Sequence, residues 1–181
     1  MDRLSEQVTA SKTVFNGRLI DLHVDTVKLP NGAEAQREIV QHPGAVAMIP
    51  LLDDGRVVMV RQFRLAANKI TLEIPAGTLH GGEDPAEAAA RELQEEIGFK
   101  PGKLVRLGGH YTAPGYTTEY IHLYLATELE SSRLDLDEDE FLEIEMIPLD
   151  EALRRVDNGE FEDGKTMIGL MMAARRQANG A

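Results

Sequence analysis

Glu83, Glu87, Glu92, Glu95 and Glu96 crowd into fourteen residues of this chain, with Arg91 as the one basic side chain among them. Carboxylates are hard oxygen donors, suited to Mg²⁺ or Mn²⁺, which bind through a few such groups, keep waters and bridge to phosphates. A solvated acidic face is the alternative. It accounts for Glu87 and for Asp84, but acids are disfavoured near a helix C-terminus, where Glu95 and Glu96 fall. Two like charges about 4 Å apart cost on the order of 4 kcal/mol at an effective dielectric of ~20, although exposed side chains can splay to relieve it. On spacing alone, both readings stand.

A helix must carry these groups. Asp84 is a suitable N-cap, Pro85 fits the first helical position and Glu87 has capping-box spacing, so the helix begins at residue 85, and Gly98 is placed to end it. Ala86, Ala89, Ala90, Leu93 and Ile97 recur at helical spacing as the buried stripe. Glu92 and Glu96 then lie one turn apart, with Glu95 on the same side, and Arg91 is four residues from both Glu87 and Glu95.

The surrounding chain has the size of one domain, 181 residues, with an ordinary globular mix of 43% hydrophobic and 28% charged residues. A net charge of −12 disfavours nucleic acid and acidic membrane surfaces, so a phosphate-bearing substrate needs cations as mediators. The absence of cysteine excludes disulfides and thiolate metal sites. No apolar run reaches the ~20 residues of a membrane span and the start is polar, so the cytoplasm is expected.

The first dozen residues read as loose. Alternation on both sides of Pro30-Asn31-Gly32 predicts a hairpin, and a second is expected around Asp53-Asp54-Gly55, making four strands before residue 65. A short strand precedes Pro75, further strands are predicted in LVRLGGHY, EYIHLYLATEL and EIEMIPL, and helices at about 150–157 and 165–178 close the chain. Strands outnumbering helices, with helices in the middle and at the end, predict an α/β fold of mixed sheets covered by helices.

Residues 77–99, GTLHGGEDPAEAAARELQEEIGF, resemble the Nudix box, G-x5-E-x7-R-E-U-x-E-E-x-G-U with U a bulky apolar residue. The match runs through Gly77, Glu83, Arg91, Glu92, Leu93, Glu95, Glu96, Gly98 and Phe99. VRQFR (60–64), LEIPAG (72–77) and APGYTTE, with Pro114 fifteen residues past the box, extend the resemblance to the ADP-ribose and ADP-sugar pyrophosphatases. The resemblance implies a Nudix-type α/β/α sandwich with a mixed sheet and an N-terminal antiparallel sheet. Residues 1–45 would be dimerisation strands and 46–181 the catalytic domain, one compact unit overall, in a homodimer whose N-terminal hairpins are exchanged between subunits.

It further implies hydrolysis of the diphosphate of ADP-ribose or a related nucleoside diphosphate sugar with Mg²⁺, or Mn²⁺, giving AMP and a sugar phosphate. Glu92 and Glu96 are implied as principal metal ligands, with Glu95 and the carbonyl of Ala76 as further ones, Arg91 as the residue that holds a glutamate in place and Glu83 as support. Arg61, Glu73 and Pro114 are implied substrate residues. In the acidic run DLDEDEFLEIE, whose bland reading is a solvated loop, Glu140 is implied as general base with Glu138 as runner-up. The rivals are another Nudix specificity (a GDP-sugar, NADH, a dinucleoside polyphosphate) and a silent domain that senses ADP-ribose without cleaving it.

GEFEDGKT, residues 159–166, fits the phosphate-loop pattern, yet its own Glu160, Glu162 and Asp163 would repel phosphate, and a helical pattern rather than a strand precedes it. It is read as a connector between helices. His110 and His122 read as core-edge or surface residues, Met167, Met171 and Met172 as packing or dimer contacts, and Arg154, Arg155, Arg175 and Arg176 as solvated helix faces.

Overall fold

The run AVAMIP at residues 45–50 has no polar side to offer, and such runs build strands buried on both faces. The computed structural model describes residues 4–134 and 141–179. Its strands are β1 (Gln7–Asn16), β2 (Asp21–Lys28), β3 (Glu34–Gln41), β4 (Ala45–Pro50), β5 (Arg56–Arg64), β6 (Lys69–Glu73), β7 (Ala76–Thr78), β8 (Phe99–Tyr111), β9 (Tyr120–Ser131) and β10 (Leu142–Pro148). The helices are α1 (Pro85–Glu96), α2 (Leu149–Asp157) and α3 (Gly164–Ala178). The chain divides into two units, one of Met1–Gly44 with Tyr111–Tyr120 and one of Ala45–His110 with Ile121–Ala181.

In the larger unit β4 is an inner strand of a four-stranded sheet, β7-β4-β9-β8, paired parallel with β9 and antiparallel with β7. A second, antiparallel sheet has the order β10-β5-β6. Side chains alternate across a strand. Ala45, Ala47 and Ile49 of β4 therefore pack with Val57 and Met59 of β5, Leu123 of β9, Ala152 of α2 and Leu170 of α3. Val46 and Met48 pack the other way, with Val58, Val60 and Tyr124 against Ala88, Ala89 and Leu93 of α1 and Ile97 just beyond its end. Helices thus cover both sides of the strands, the α/β/α arrangement expected, with the mixed pairing confined to one of two sheets.

The smaller unit holds the antiparallel sheet β1-β2-β3. Its β2–β3 turn is the one expected at Pro30-Asn31-Gly32, closed by Leu29 N–H to the Ala33 carbonyl at 2.8 Å, with Gly32 at φ +87°.

Two expectations need correction. The turn at residues 53–55 forms, with Leu52 N–H donating to the Arg56 carbonyl at 2.9 Å, but β4 and β5 belong to different sheets and share only the bridge Leu51–Val57. Turn chemistry is local; pairing followed apolar faces that match β9, some seventy residues away. The start of the chain is not loose, since β1 occupies Gln7–Asn16. All ten of its residues are exposed, so no buried face imprints a polar/apolar alternation, and the ladder to β2 holds it, aided by Ser11 Oγ donating to Asp25 at 2.5 Å.

Candidate active site

Helix α1 begins where its sequence says. The Asp84 carboxylate accepts from Ala86 N–H at 2.8 Å and Glu87 N–H at 3.3 Å, and Pro85 starts the first turn. Gly98, at φ +74°, turns the chain out of the helix, a conformation that costs glycine least. The buried stripe is Ala88, Ala89, Leu93 and Ile97; Ala88 joins it, while Ala86 and Ala90 are half-buried.

Two glutamates accompany that apolar stripe inward. Glu92 is 7% exposed and Glu96 2%. The Glu92 carboxylate lies against the backbone of Gly77: a Cβ there would stand 1.9 Å from Glu92 Cδ. Glu96 Oε2 accepts from Ala76 N–H at 3.1 Å. Strand β7, three residues long, is therefore the floor on which both carboxylates rest, and it was not predicted, being too short to carry a pattern.

Arg91 binds the remaining acids. Its Nε and Nη2 donate to the two Glu83 oxygens at 3.1 and 3.2 Å, and its Nη1 lies 2.8 Å from Glu92 Oε1 and 2.7 Å from Glu95 Oε2. Burial pulls the Arg91 pKa down, but the hydrogen bonds and charges of Glu83, Glu92 and Glu95 outweigh it and push the pKa up. The Glu83 carboxyl is lowered, first by its hydrogen bond from Arg91.

Whether these residues suit a hard cation can be read from the donors themselves. Burying carboxylates is costly unless positive charge and hydrogen bonds offset it, and here three glutamates converge on one guanidinium. Gly77 leaves the space the Glu92 carboxylate occupies. Among the described residues no three His, Cys, Asp or Glu side chains form a ready-made cage. A closed cage suits Zn²⁺, whereas Mg²⁺ is held by one or two carboxylates with waters and substrate phosphates completing the shell. The donor set fits a hard divalent cation, with the buried Glu92 and Glu96 carboxylates as oxygen donors that would hold it.

Arg61, on β5, donates to Glu145 Oε2 at 2.9 Å and lines a cavity of about 820 Å³ with Gln62, Phe63, Ile70, Phe141, Leu142 and Glu143. Glu73, at the end of β6, is 2% exposed. Its oxygens take Arg64 Nε at 2.9 Å, Arg64 Nη2 at 2.7 Å, Thr71 Oγ1 at 2.5 Å and Lys165 Nζ at 2.5 Å. Burial alone would raise this carboxyl, but Arg64, Lys165 and Thr71 together hold it down to about 2. Pro114 is exposed in the other unit, in a turn closed by Tyr116 N–H to the Ala113 carbonyl at 3.1 Å. Glu138 and Glu140 lie outside the described residues.

Sequence reasoning passed over Phe63 and Phe141 as cavity lining, and Arg64 and Lys165 as the partners of Glu73. Apolar residues in strand segments read as core by default. Lys165 stood in a motif judged only as a phosphate loop, and that reading fails here too: Asp163 N-caps α3, accepting from Thr166 N–H at 3.0 Å.

The comparisons with known proteins show the family to which this site and fold belong. The chain belongs to the NUDIX family: the NUDIX domain matches residues 41–167, and the nucleoside diphosphate sugar hydrolase N-terminal domain matches residues 6–40. It is 42% identical to an ADP-ribose pyrophosphatase of Bacillus subtilis (strain 168), over 98% of this chain and 97% of that one. It is also 42% identical to a methanol dehydrogenase activator of Bacillus methanolicus, over 98% of both chains. The crystal structure of an ADP compounds hydrolase shares the fold, with a TM-score of 0.87 at 23% identity, covering 100% of this chain and 99% of that one. The chain is a Nudix hydrolase.

Proposed function

We propose that the protein hydrolyses the diphosphate of ADP-ribose, or of a closely related nucleoside diphosphate sugar, releasing AMP and a sugar phosphate. The observation that carries the reading is the placement of two buried carboxylates, Glu92 against Gly77 and Glu96 on the Ala76 N–H, beside the Arg91 cluster. The near full-length likeness to an ADP-ribose pyrophosphatase supports the choice of substrate.

In this reading Glu92 and Glu96, with Glu95 and the Ala76 carbonyl, hold Mg²⁺ or Mn²⁺. When bound, the cation neutralises diphosphate oxygens and lowers the pKa of its water. Arg91 keeps Glu92 and Glu95 in register, and Glu83 anchors Arg91 from the other side. Glu140 accepts the proton of the attacking water, a contribution typically worth ~10²–10⁴-fold, with Glu138 the alternative base. Arg61 and Glu73 serve substrate recognition, Glu73 through the cations that enclose it; Pro114 is a further proposed substrate residue.

A homodimer built through residues 1–45 is part of the proposal. The exposed apolar side chains of β1, Val8, Val14 and Phe15, support it, and sedimentation equilibrium tests it. Cytoplasmic residence is also proposed, testable by cell fractionation; among the described residues no helix is long and apolar enough to cross a membrane.

The deciding assay follows AMP release from ADP-ribose with Mg²⁺, with Mn²⁺ and with a chelator, beside a GDP-sugar, NADH and a dinucleoside polyphosphate. Metal-dependent turnover fastest on ADP-ribose is expected. Faster turnover of another compound replaces the substrate, and tight ADP-ribose binding without products makes the protein a sensor.

A further inference from the structure

The stretch Asp163-Gly164-Lys165-Thr166 opens α3 and bonds to Glu73 and Ile74, the residues that lead into β7. Thr166 is fully buried. Its hydroxyl donates to Asp163 Oδ2 at 2.5 Å and accepts from the backbone N–H of Ile74 at 2.9 Å. Its neighbour Lys165, 11% exposed, spans Asp163 Oδ2 at 3.0 Å and Glu73 Oε2 at 2.5 Å. Consecutive residues of one helical turn therefore grip consecutive residues of the β6 exit, one by its side chain and one by its backbone.

From that grip to the carboxylates is a short path. Ile74 is followed by Pro75, whose ring fixes φ, and whose carbonyl accepts from Met48 N–H at 2.9 Å. Ala76 comes next, donating its N–H to Glu96, and then Gly77 beneath Glu92. Two residues reach at most ~7 Å of chain, too short to absorb a shift of Ile74 without moving Ala76. Helix α3 is also packed closely enough to follow: a Cβ on Gly169 would stand 2.9 Å from Ile74 Cδ1.

We infer that Lys165 and Thr166 are positioning residues of the hydrolytic site, holding the Ile74–Gly77 segment at the height where Glu92 and Glu96 meet a metal ion. The inference rests on the metal-site reading above and not on the identity of the substrate. An anchor serving the fold alone would lose stability when cut and leave metal affinity untouched. A positioning anchor loses both, and the hydroxyl by itself restores both.

The experiment measures Mn²⁺ dissociation constants of the full chain from the free-ion EPR signal, with urea midpoints alongside, for wild type, Thr166→Val, Thr166→Ser, Lys165→Met and Leu149→Ala. Leu149 is a buried α2 residue whose backbone N–H donates to the Gly55 carbonyl at 3.1 Å, outside the Ile74–Gly77 segment, and it controls for lost stability. Thr166→Val leaves the Ile74 N–H without its acceptor, which lowers the urea midpoint, and the shift passed to Ala76 should weaken Mn²⁺ binding about tenfold. Thr166→Ser should match wild type, Lys165→Met should weaken binding several-fold, and Leu149→Ala should lose stability while keeping wild-type affinity. If Thr166→Val does not fold, Lys165→Met carries the test. Wild-type Mn²⁺ affinity in the folded variants overturns the inference, as does equal weakening in Leu149→Ala. A wild type that binds no Mn²⁺ overturns the site reading and this inference with it. One that binds Mn²⁺ yet ignores ADP-ribose overturns the substrate alone, and the variant affinities still decide the inference.

Discussion

Two buried acidic clusters in the larger unit differ in how their charge is met. Around Glu73, acids and bases balance: Glu73 and Asp163 share Lys165, and Arg64 binds Glu73 through two nitrogens. At the end of α1, Glu83, Glu92 and Glu95 all converge on Arg91, and Glu96 leans on a backbone N–H. Both clusters are well hydrogen-bonded, so burial and geometry alone do not tell which of them calls for a metal ion. The charge does. A balanced network needs no added cation, whereas three carboxylates around one guanidinium retain negative charge that a hard cation can meet.

The sharpest way to break this contrast is Glu96→Gln, which removes a charged oxygen and almost no volume. Turnover should fall by about three orders of magnitude, because the site loses its grip on the ion that activates the water, while circular dichroism and the urea midpoint stay near wild type. Near-normal kcat would show that the acidic surplus is not the metal site.

Glu73→Gln should do the reverse, acting first on stability. Removing one partner of a buried ion pair costs up to about 3 kcal/mol; Lys165, with a side chain 11% exposed, is left without its main anion, while the Arg64 side chain, 42% exposed, can turn to water and trims the loss. Urea denaturation measures it, and a midpoint unchanged from wild type would refute the balanced-network reading.

The acid limb of stability carries the same test. The Glu73 carboxyl is held down to about 2 in the fold, below the ordinary carboxylate value of ~4.3, so the folded state binds fewer protons than the unfolded state between those values. Its contribution is therefore present above about pH 4.3 and is lost as pH falls towards about 2. Wild type should lose stability steeply across that window, and Glu73→Gln should flatten the slope; parallel curves would contradict the assignment.

Gly77→Ala probes the floor itself. The three nearest atoms to the new Cβ all belong to the Glu92 carboxylate, a side-chain end that can give way to leave the fold standing with a modest loss, but its displacement should lower kcat roughly 10- to 100-fold. Wild-type turnover in this variant would dissociate Glu92 from catalysis. Smallest of all, Asp84→Ala removes the α1 cap and should cost about 1 kcal/mol of stability with kcat at saturating metal nearly unchanged.

Much of this was legible in residue order because it is local. The cap at Asp84, the helix to Glu96, the exit at Gly98 and the same-side placement of Glu92, Glu95 and Glu96 all follow from interactions within a few residues, and helical periodicity records them. The turn at residues 53–55 was readable for the same reason. The partners of the strands flanking that turn were not. The strand β1 was missed because a strand exposed throughout imposes no alternation.

What the amino-acid order determined by itself was the chemistry available: hard oxygen donors on one helix face, a glycine before it and an arginine within it. What only the tertiary structure decided was the company those groups keep. Chain reversal brought α3, some seventy residues beyond the box, against Ile74, so that Thr166 and Lys165 hold the segment leading to Glu96. Such contacts depend on the packing of apolar faces across the whole unit, which no short-range spacing encodes.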